Sequence, residues 1–257
     1  MKKLIMQTKV LEKKSRYRIV RILVICLCLA LIAGCGKTSS KKTTEEEGSD
    51  YVDVSELSRL NSDIFAWIRI PEAGIDYPVL QRGDGDDSFY QTHDYLGKED
   101  PKGAIYIEAA NLNDMCDFNE VLHGSSPSDG TMFAPLSKFL DQEFFDEHKY
   151  IYVYMKGNAL IYYTFAAYLR EDTRLLEQYD FSYASGCQQF LDEIYSRSMS
   201  KIVREGWENQ VQPDNFIITL STVDPSSGKQ LVVVGCLVGD VAGKIDRYVD
   251  YGDPDDF

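Results

Sequence analysis

Covalent chemistry in this chain would have to come from three histidines and six cysteines. A cysteine thiolate is a potent nucleophile, and a histidine within hydrogen-bond reach is the common base that generates it. Cys26, Cys28 and Cys35 fall in an N-terminal leader, which leaves Cys116, Cys187 and Cys236 for the body of the protein. Cys116 sits in Asn113-Asp114-Met115-Cys116-Asp117, where neighbouring acids disfavour a thiolate. Cys236 alternates with Val232 and Val234 and reads as a small buried residue of a strand. An odd number cannot pair fully within one chain, so the three read as thiols, two of them buried. His123 and Ser125 would share one face of a strand, but that pair lacks a third, orienting group, and His123 reads as a structural, hydrogen-bonded histidine. His93 and His148 lie in hydrophilic stretches with no visible site. The acidic run Arg82-Gly83-Asp84-Gly85-Asp86-Asp87-Ser88 lacks the glycine and closing glutamate of an EF-hand loop, so it reads as a solvated turn. Neither a metal nor a cofactor is expected.

The elements that position these groups are mostly strands. Val54, Leu57, Leu60 and Ile64 recur at helical spacing after Asp53, which predicts a capped amphipathic helix. Short strands are predicted over Trp67–Pro71, Ile75–Gln81, Gly103–Glu108 and Asn119–Gly124. The i, i+3, i+4 recurrence of Met132, Phe133, Leu136, Phe139, Leu140, Phe144 and Phe145 predicts one helix. Tyr150–Met155 and Leu160–Leu169 flank a Gly-containing turn and predict a hairpin, and a second helix carries Phe190, Leu191, Ile194 and Tyr195. Two aliphatic runs, Phe216–Val223 and Leu231–Gly235, are joined by a polar loop with Pro225 and Gly228 and read as the last two strands. No repeat is visible.

The first 36 residues stand apart. Eight basic residues against Glu12 give them a net charge of +7, so the remainder carries −21 of a chain whose total is −14. Ile22–Ala33 is an apolar run too short for a membrane span of about 20 residues and suits the h-region of a secretory signal. Ile32-Ala33-Gly34-Cys35 resembles a bacterial lipobox, in which Cys35 would become the lipidated first residue; the alternative is an uncleaved N-terminal anchor. Residues 37–51 form a polar tether, and residues 241–257 an acidic tail. So acidic a body excludes nonspecific binding of nucleic acid and favours a basic partner.

Five segments in order carry a specific likeness: Asn61-x-Asp63-x-x-Ala66-Trp67-Ile68-x-Ile70-Pro71, Ile75-Asp76-Tyr77-Pro78-Val79-Leu80-Gln81, Lys102-Gly103-Ala104-Ile105-Tyr106, Asp129-Gly130-Thr131-Met132-Phe133 and Thr219-Leu220-Ser221-Thr222. Across residues 52–240 the chain resembles the class B sortases. That resemblance implies a mainly β (α+β) fold, an eight-stranded β-barrel with an N-terminal helix and two interposed helices. It also implies residence on the outer face of a Gram-positive membrane. Members of the family are cysteine transpeptidases that cut a sorting signal and join the protein to peptidoglycan or a pilus subunit. Their chemistry uses a thiolate, a histidine acid–base and an arginine for the oxyanion. Aligned on the motifs, the histidine position holds Ser125, the cysteine position Val223 and the arginine position Gln230.

A valine forms no thioacyl intermediate, so the resemblance together with these residues predicts a pseudoenzyme. Its groove, lined by His123, Ser125, Thr222, Val223 and Gln230, is expected to hold a sorting-signal peptide, a pilin or an active sortase. Two alternatives are an active transpeptidase using displaced groups such as His123 with Cys116 or Cys236, and a structural envelope lipoprotein.

Overall fold

The computed structural model describes residues 52–196, 201–243 and 245. The leader with Cys35, the tether and most of the acidic tail lie outside the described residues.

Alternation builds the barrel. In β1 (Ile64–Ile70) every second residue is buried, and Ala66, Ile68 and Ile70 point into the main core. β1 pairs antiparallel with β2 (Ile75–Leu80), which runs parallel to β3 (Ile105–Ile107). β3 meets β4 (Asn119–His123) antiparallel, β4 lies parallel to β8 (Ile217–Val223), and β8 pairs antiparallel with β9 (Gln230–Asp240). β9 pairs with the long β6 (Asn158–Arg170), and β6 pairs with β5 (Tyr150–Met155), which returns to β1. The ring therefore closes with eight strands, which leaves no open edge within it. A short ninth strand, β7 (Lys201–Val203), adds to the outside of β6 beyond its pairing with β5.

Among the described residues four α-helices accompany the barrel: α1 (Val54–Leu60), α2 (Gln142–Glu147), α3 (Leu175–Gln178) and α4 (Ala184–Tyr195). Asp53 caps α1 by accepting from Ser55 N at 2.9 Å. The helix is shorter than its apolar spacing predicts, because Asn61 ends it and Ile64 opens β1 instead. Asn61 and Asp63 then clamp one phenol: Asn61 Nδ2 donates to Tyr90 Oη (2.8 Å), which donates to Asp63 Oδ2 (2.7 Å). The single helix predicted over Met132–Phe145 is two elements, a 3-10 stretch Ala134–Leu140 and α2, separated where Asp141 turns extended and accepts from Phe144 N at 2.9 Å. The amphipathic α4 lays Cys187, Phe190, Leu191 and Ile194 over the outer faces of β4, β6, β8 and β9, against Val121, Phe165, Ile217, Val232 and Val234. Those strands are buried on both faces, which is why β8 and β9 read as continuous aliphatic runs. Cys187 and Cys236 belong to this layer, and Cys116, Cys187 and Cys236 are thiols.

One glycine permits a close approach of two backbone segments. Gly103 has φ +65°, and a Cβ there would stand 2.3 Å from Tyr90 O. Gly103→Ala is expected to destabilise the fold by about 3 kcal/mol through combined strain and backbone displacement. Urea unfolding measures it, and a loss within about 0.5 kcal/mol, typical of an unconstrained surface site, would contradict the tight packing.

Candidate functional site

β4, β8 and β9 end together, and their ends form the floor of a groove of about 460 Å³. Within the ladders His123 lies opposite Ser221 and Val223 opposite Gln230. Ser125 follows on the loop after β4. It is held there because Gly124 packs so closely that a Cβ would meet Ile105 Cδ1 at 2.5 Å, and because Ser125 O accepts from Phe133 N (2.9 Å). The other end of the same loop is pinned where Met132 N donates to Tyr77 Oη (3.0 Å). Ser125, Val223 and Gln230, far apart in sequence, thus line one groove with His123.

Each position is chemically quiet in its own way. Val223 closes β8 and stands 46% exposed, an aliphatic side chain at the groove. Ser125 Oγ donates to Lys102 O at 2.6 Å, so its proton is committed to a backbone acceptor. Gln230 is buried: its Nε2 donates to Ser221 Oγ (2.8 Å) and its Oε1 accepts from Arg170 Nη1 (2.5 Å). Thr222 also lines the groove, but it alternates to the inward face shared by Leu220 and the paired Leu231, and its hydroxyl is buried without a partner. Its side chain therefore belongs to the barrel interior more than to the groove surface.

The groove contains no thiol among its described lining residues. Cys116 precedes the start of β4, and Cys236 pairs with Ile217 at the start of β8. Val223 lies six residues further along β8, roughly 20 Å away at ~3.3 Å per residue. Both displaced-thiol candidates therefore sit at the opposite end of the barrel from His123.

His123 stacks on Tyr106 with ring centroids 5.3 Å apart, and its Nε2 lies 3.3 Å from Glu108 Oε1 without hydrogen-bond geometry. Burial pulls its pKa below the ordinary histidine range; Glu108 and Asp87 oppose this and Arg174 adds to it. The imidazole is thus neutral near pH 7. Because the folded pKa lies below the unfolded one, folding loses stability as pH falls through about 6.5 and further down. Burial pushes the carboxyl of Glu120, inside the barrel wall, well above its usual range, with Asp117 adding to it; that group gives the opposite slope. The difference between wild type and His123→Phe isolates the histidine: the variant is expected to show a shallower fall in urea midpoint between pH 7 and pH 5. Parallel profiles would mean that His123 titrates as it does in the unfolded chain.

Two groove features were not legible in the sequence. Glu108, the residue after β3, is buried and binds Arg174, whose Nη2 donates to Glu108 Oε2 at 2.8 Å. Arg170 lies at the end of β6 directly opposite Gln230, separated from it by sixty positions. The acidic turn at Arg82–Ser88 is a folded loop rather than an open cluster: Asp84 pairs with Arg82, Asp86 accepts from Ser88 N (3.0 Å), and Asp87 accepts from Ala109 N (2.7 Å).

A closed eight-stranded barrel, parallel at β2–β3 and β4–β8, with its groove at the ends of β4, β8 and β9, defines the sortase fold. Sortase B of Listeria monocytogenes is 29% identical over 213 residues, covering 78% of this chain and 80% of the relative. Sortase B of Staphylococcus aureus is 30% identical over 185 residues, covering 71% of this chain and 73% of the relative. The Clostridium perfringens sortase B structure superposes with TM-score 0.64 at 26% identity, covering 72% of this chain and 99% of that one. The Staphylococcus aureus sortase B–substrate complex gives TM-score 0.63 at 29% identity, covering 74% and 87%. No family model matches the sequence. The chain belongs to the class B sortase family.

Proposed function

We propose that this chain is a catalytically silent class B sortase whose groove holds the sorting-signal segment of a partner protein without cutting it. The leader tethers it to the outer face of a Gram-positive cell membrane, through lipidated Cys35 or an uncleaved anchor. The observation that carries this reading is Val223 at the end of β8, where the family's motif calls for the nucleophile, in a groove whose described lining has no sulfur. Thioacyl transfer needs a sulfur to attack the scissile carbonyl and leave again, and an aliphatic side chain does neither. Neutral His123 remains at the groove as a hydrogen-bonding group suited to a peptide, while both ends of the buried Gln230 amide are held by Ser221 and Arg170. A substrate complex of the Staphylococcus aureus relative supports a sortase substrate as the ligand class. Pilin subunits and active sortases are the proteins that would carry or process such a segment.

Fluorescence polarisation with labelled sorting-signal peptides, followed by mass spectrometry of the same mixtures, tests the reading. Saturable binding with intact peptide is the expected result. Cleavage, or a peptide-sized adduct on the protein, would establish an active enzyme. Failure to bind such peptides, pilins or a sortase would leave a structural envelope lipoprotein as the better account.

A further inference from the structure

One end of the groove is built around a buried carboxylate with a removable partner. The side chain of Glu108 is 8% exposed, and Arg174 supplies the one full positive charge paired with it among the described residues. The contact is a fork: Arg174 Nη2 donates to Glu108 Oε2 at 2.8 Å and Nε to Oε1 at 3.4 Å. Arg174 comes from the connection between β6 and α3 and is itself 51% exposed. It also reaches Asp87 Oδ2 at 3.5 Å and pairs with Glu177. Three carboxylates surround one guanidinium, a local excess of two negative charges. His123 does not offset it, because its imidazole is neutral, and its buried Nε2 has no hydrogen-bond partner. Lys102, the other cation of the groove, is bound to Asp129 at 2.5 Å.

We propose that Glu108 and Asp87 form a guanidinium seat in the groove, which the chain's own Arg174 fills in this structure and which an arginine side chain of a bound segment takes over. Removing a cation from a buried carboxylate without replacing it is costly, so whatever displaces Arg174 must itself bring positive charge. The planar fork favours guanidinium over ammonium, because only the former offers two parallel N–H donors to one carboxylate. Displacement frees the half-exposed Arg174 to solvent and to Glu177, and opens the end of the groove where Asp172 and Thr173 stand. The seat rests on the peptide-groove reading only for the identity of the arginine's bearer.

Chemical rescue tests the seat without any peptide. Full-length Arg174→Ala and Arg174→Ala/Glu108→Gln are titrated with millimolar methylguanidinium chloride, with sodium chloride at equal ionic strength as control and methylammonium chloride as comparison. A saturable rise in the thermal midpoint of Arg174→Ala, absent from the double variant and weaker with methylammonium, is expected, since a ligand that binds only the folded state stabilises it. Equal responses of the two variants, or no response in either, would overturn the proposal. If Arg174→Ala does not fold, Arg174→Gln and Arg174→Gln/Glu108→Gln give the same comparison. Rescue without peptide binding by the wild type would leave the seat standing and remove the peptide reading; the converse would do the reverse.

Discussion

Arg170→Met is expected to lower the unfolding free energy by about 3 kcal/mol, at the lower end of the range for breaking a buried ion pair. Arg170 is 6% exposed, and it ties four elements together. Its Nε donates to Glu193 Oε1 on α4 (2.9 Å), Nη2 to Gln178 Oε1 on α3 (2.5 Å), and Nη1 to Gln230 Oε1 on β9 (2.5 Å) and to Thr173 O (3.1 Å). Burial would raise the pKa of Glu193, but hydrogen bonds from Arg170 and Tyr179 outweigh it and hold the carboxyl below its usual range. Methionine preserves apolar bulk and removes every donor, leaving Glu193 with its two tyrosine partners, Tyr168 and Tyr179. Those remaining donors are why the lower end of the range applies. Urea denaturation gives the number; a loss below about 1 kcal/mol would mean that the network is a surface ion pair in energetic terms.

The same residue marks the boundary of what the sequence discloses. Local chemistry was legible: Asp53 as a cap, the hairpin of β5 and β6, and the second half of β1 as a strand all follow from neighbouring residues. The fold was legible through order, since five separated motifs land on β1, β2, β3, the loop before the 3-10 stretch and β8. What they encode is now visible. Asn61 and Asp63 hold Tyr90, Tyr77 holds Met132, and Gly124 admits Phe133. Helix boundaries were misread where apolar spacing continued past a break: Ile64 fits the face of α1 but starts a strand, and Asp141 interrupts an aromatic series that looks uninterrupted by type. β7 and α3 are too short to produce a periodic signal. The Arg170–Gln230 and Arg174–Glu108 contacts join residues sixty or more positions apart, and nothing in either neighbourhood signals its partner. A lone arginine at the end of a strand looks solvated until a helix is laid over it.

Val223→Cys is expected to create a reactive groove thiol without creating a transpeptidase. Val223 is exposed and closes β8, so a thiol there should be alkylated by iodoacetamide in the folded protein faster than buried Cys187 and Cys236. Turnover needs more, because nucleophile, base and oxyanion donor act as a unit and supplying one of three gives little of their joint effect. Adding Ser125→His supplies a base from the loop that Gly124 and Phe133 already hold in place. Adding Gln230→Arg meets an obstacle in Arg170. The carboxamide oxygen of Gln230 accepts from Arg170 at 2.5 Å, and a guanidinium offers no acceptor, so two like charges would face each other in the β6–β9 ladder. Gln230→Arg alone should therefore cost about 2–4 kcal/mol, and much of that should vanish in an Arg170→Gln background, where the opposing residue becomes neutral and can accept. The double-mutant cycle reads the coupling directly by urea denaturation. A coupling energy below about 0.5 kcal/mol would show that the two side chains part without cost. A groove in which Ser125→His, Val223→Cys and Gln230→Arg gave peptide cleavage with Arg170 intact would likewise refute the obstacle. With Arg170 in place, the buried guanidinium beside position 230 favours a residue that accepts a hydrogen bond there, which glutamine does and arginine cannot.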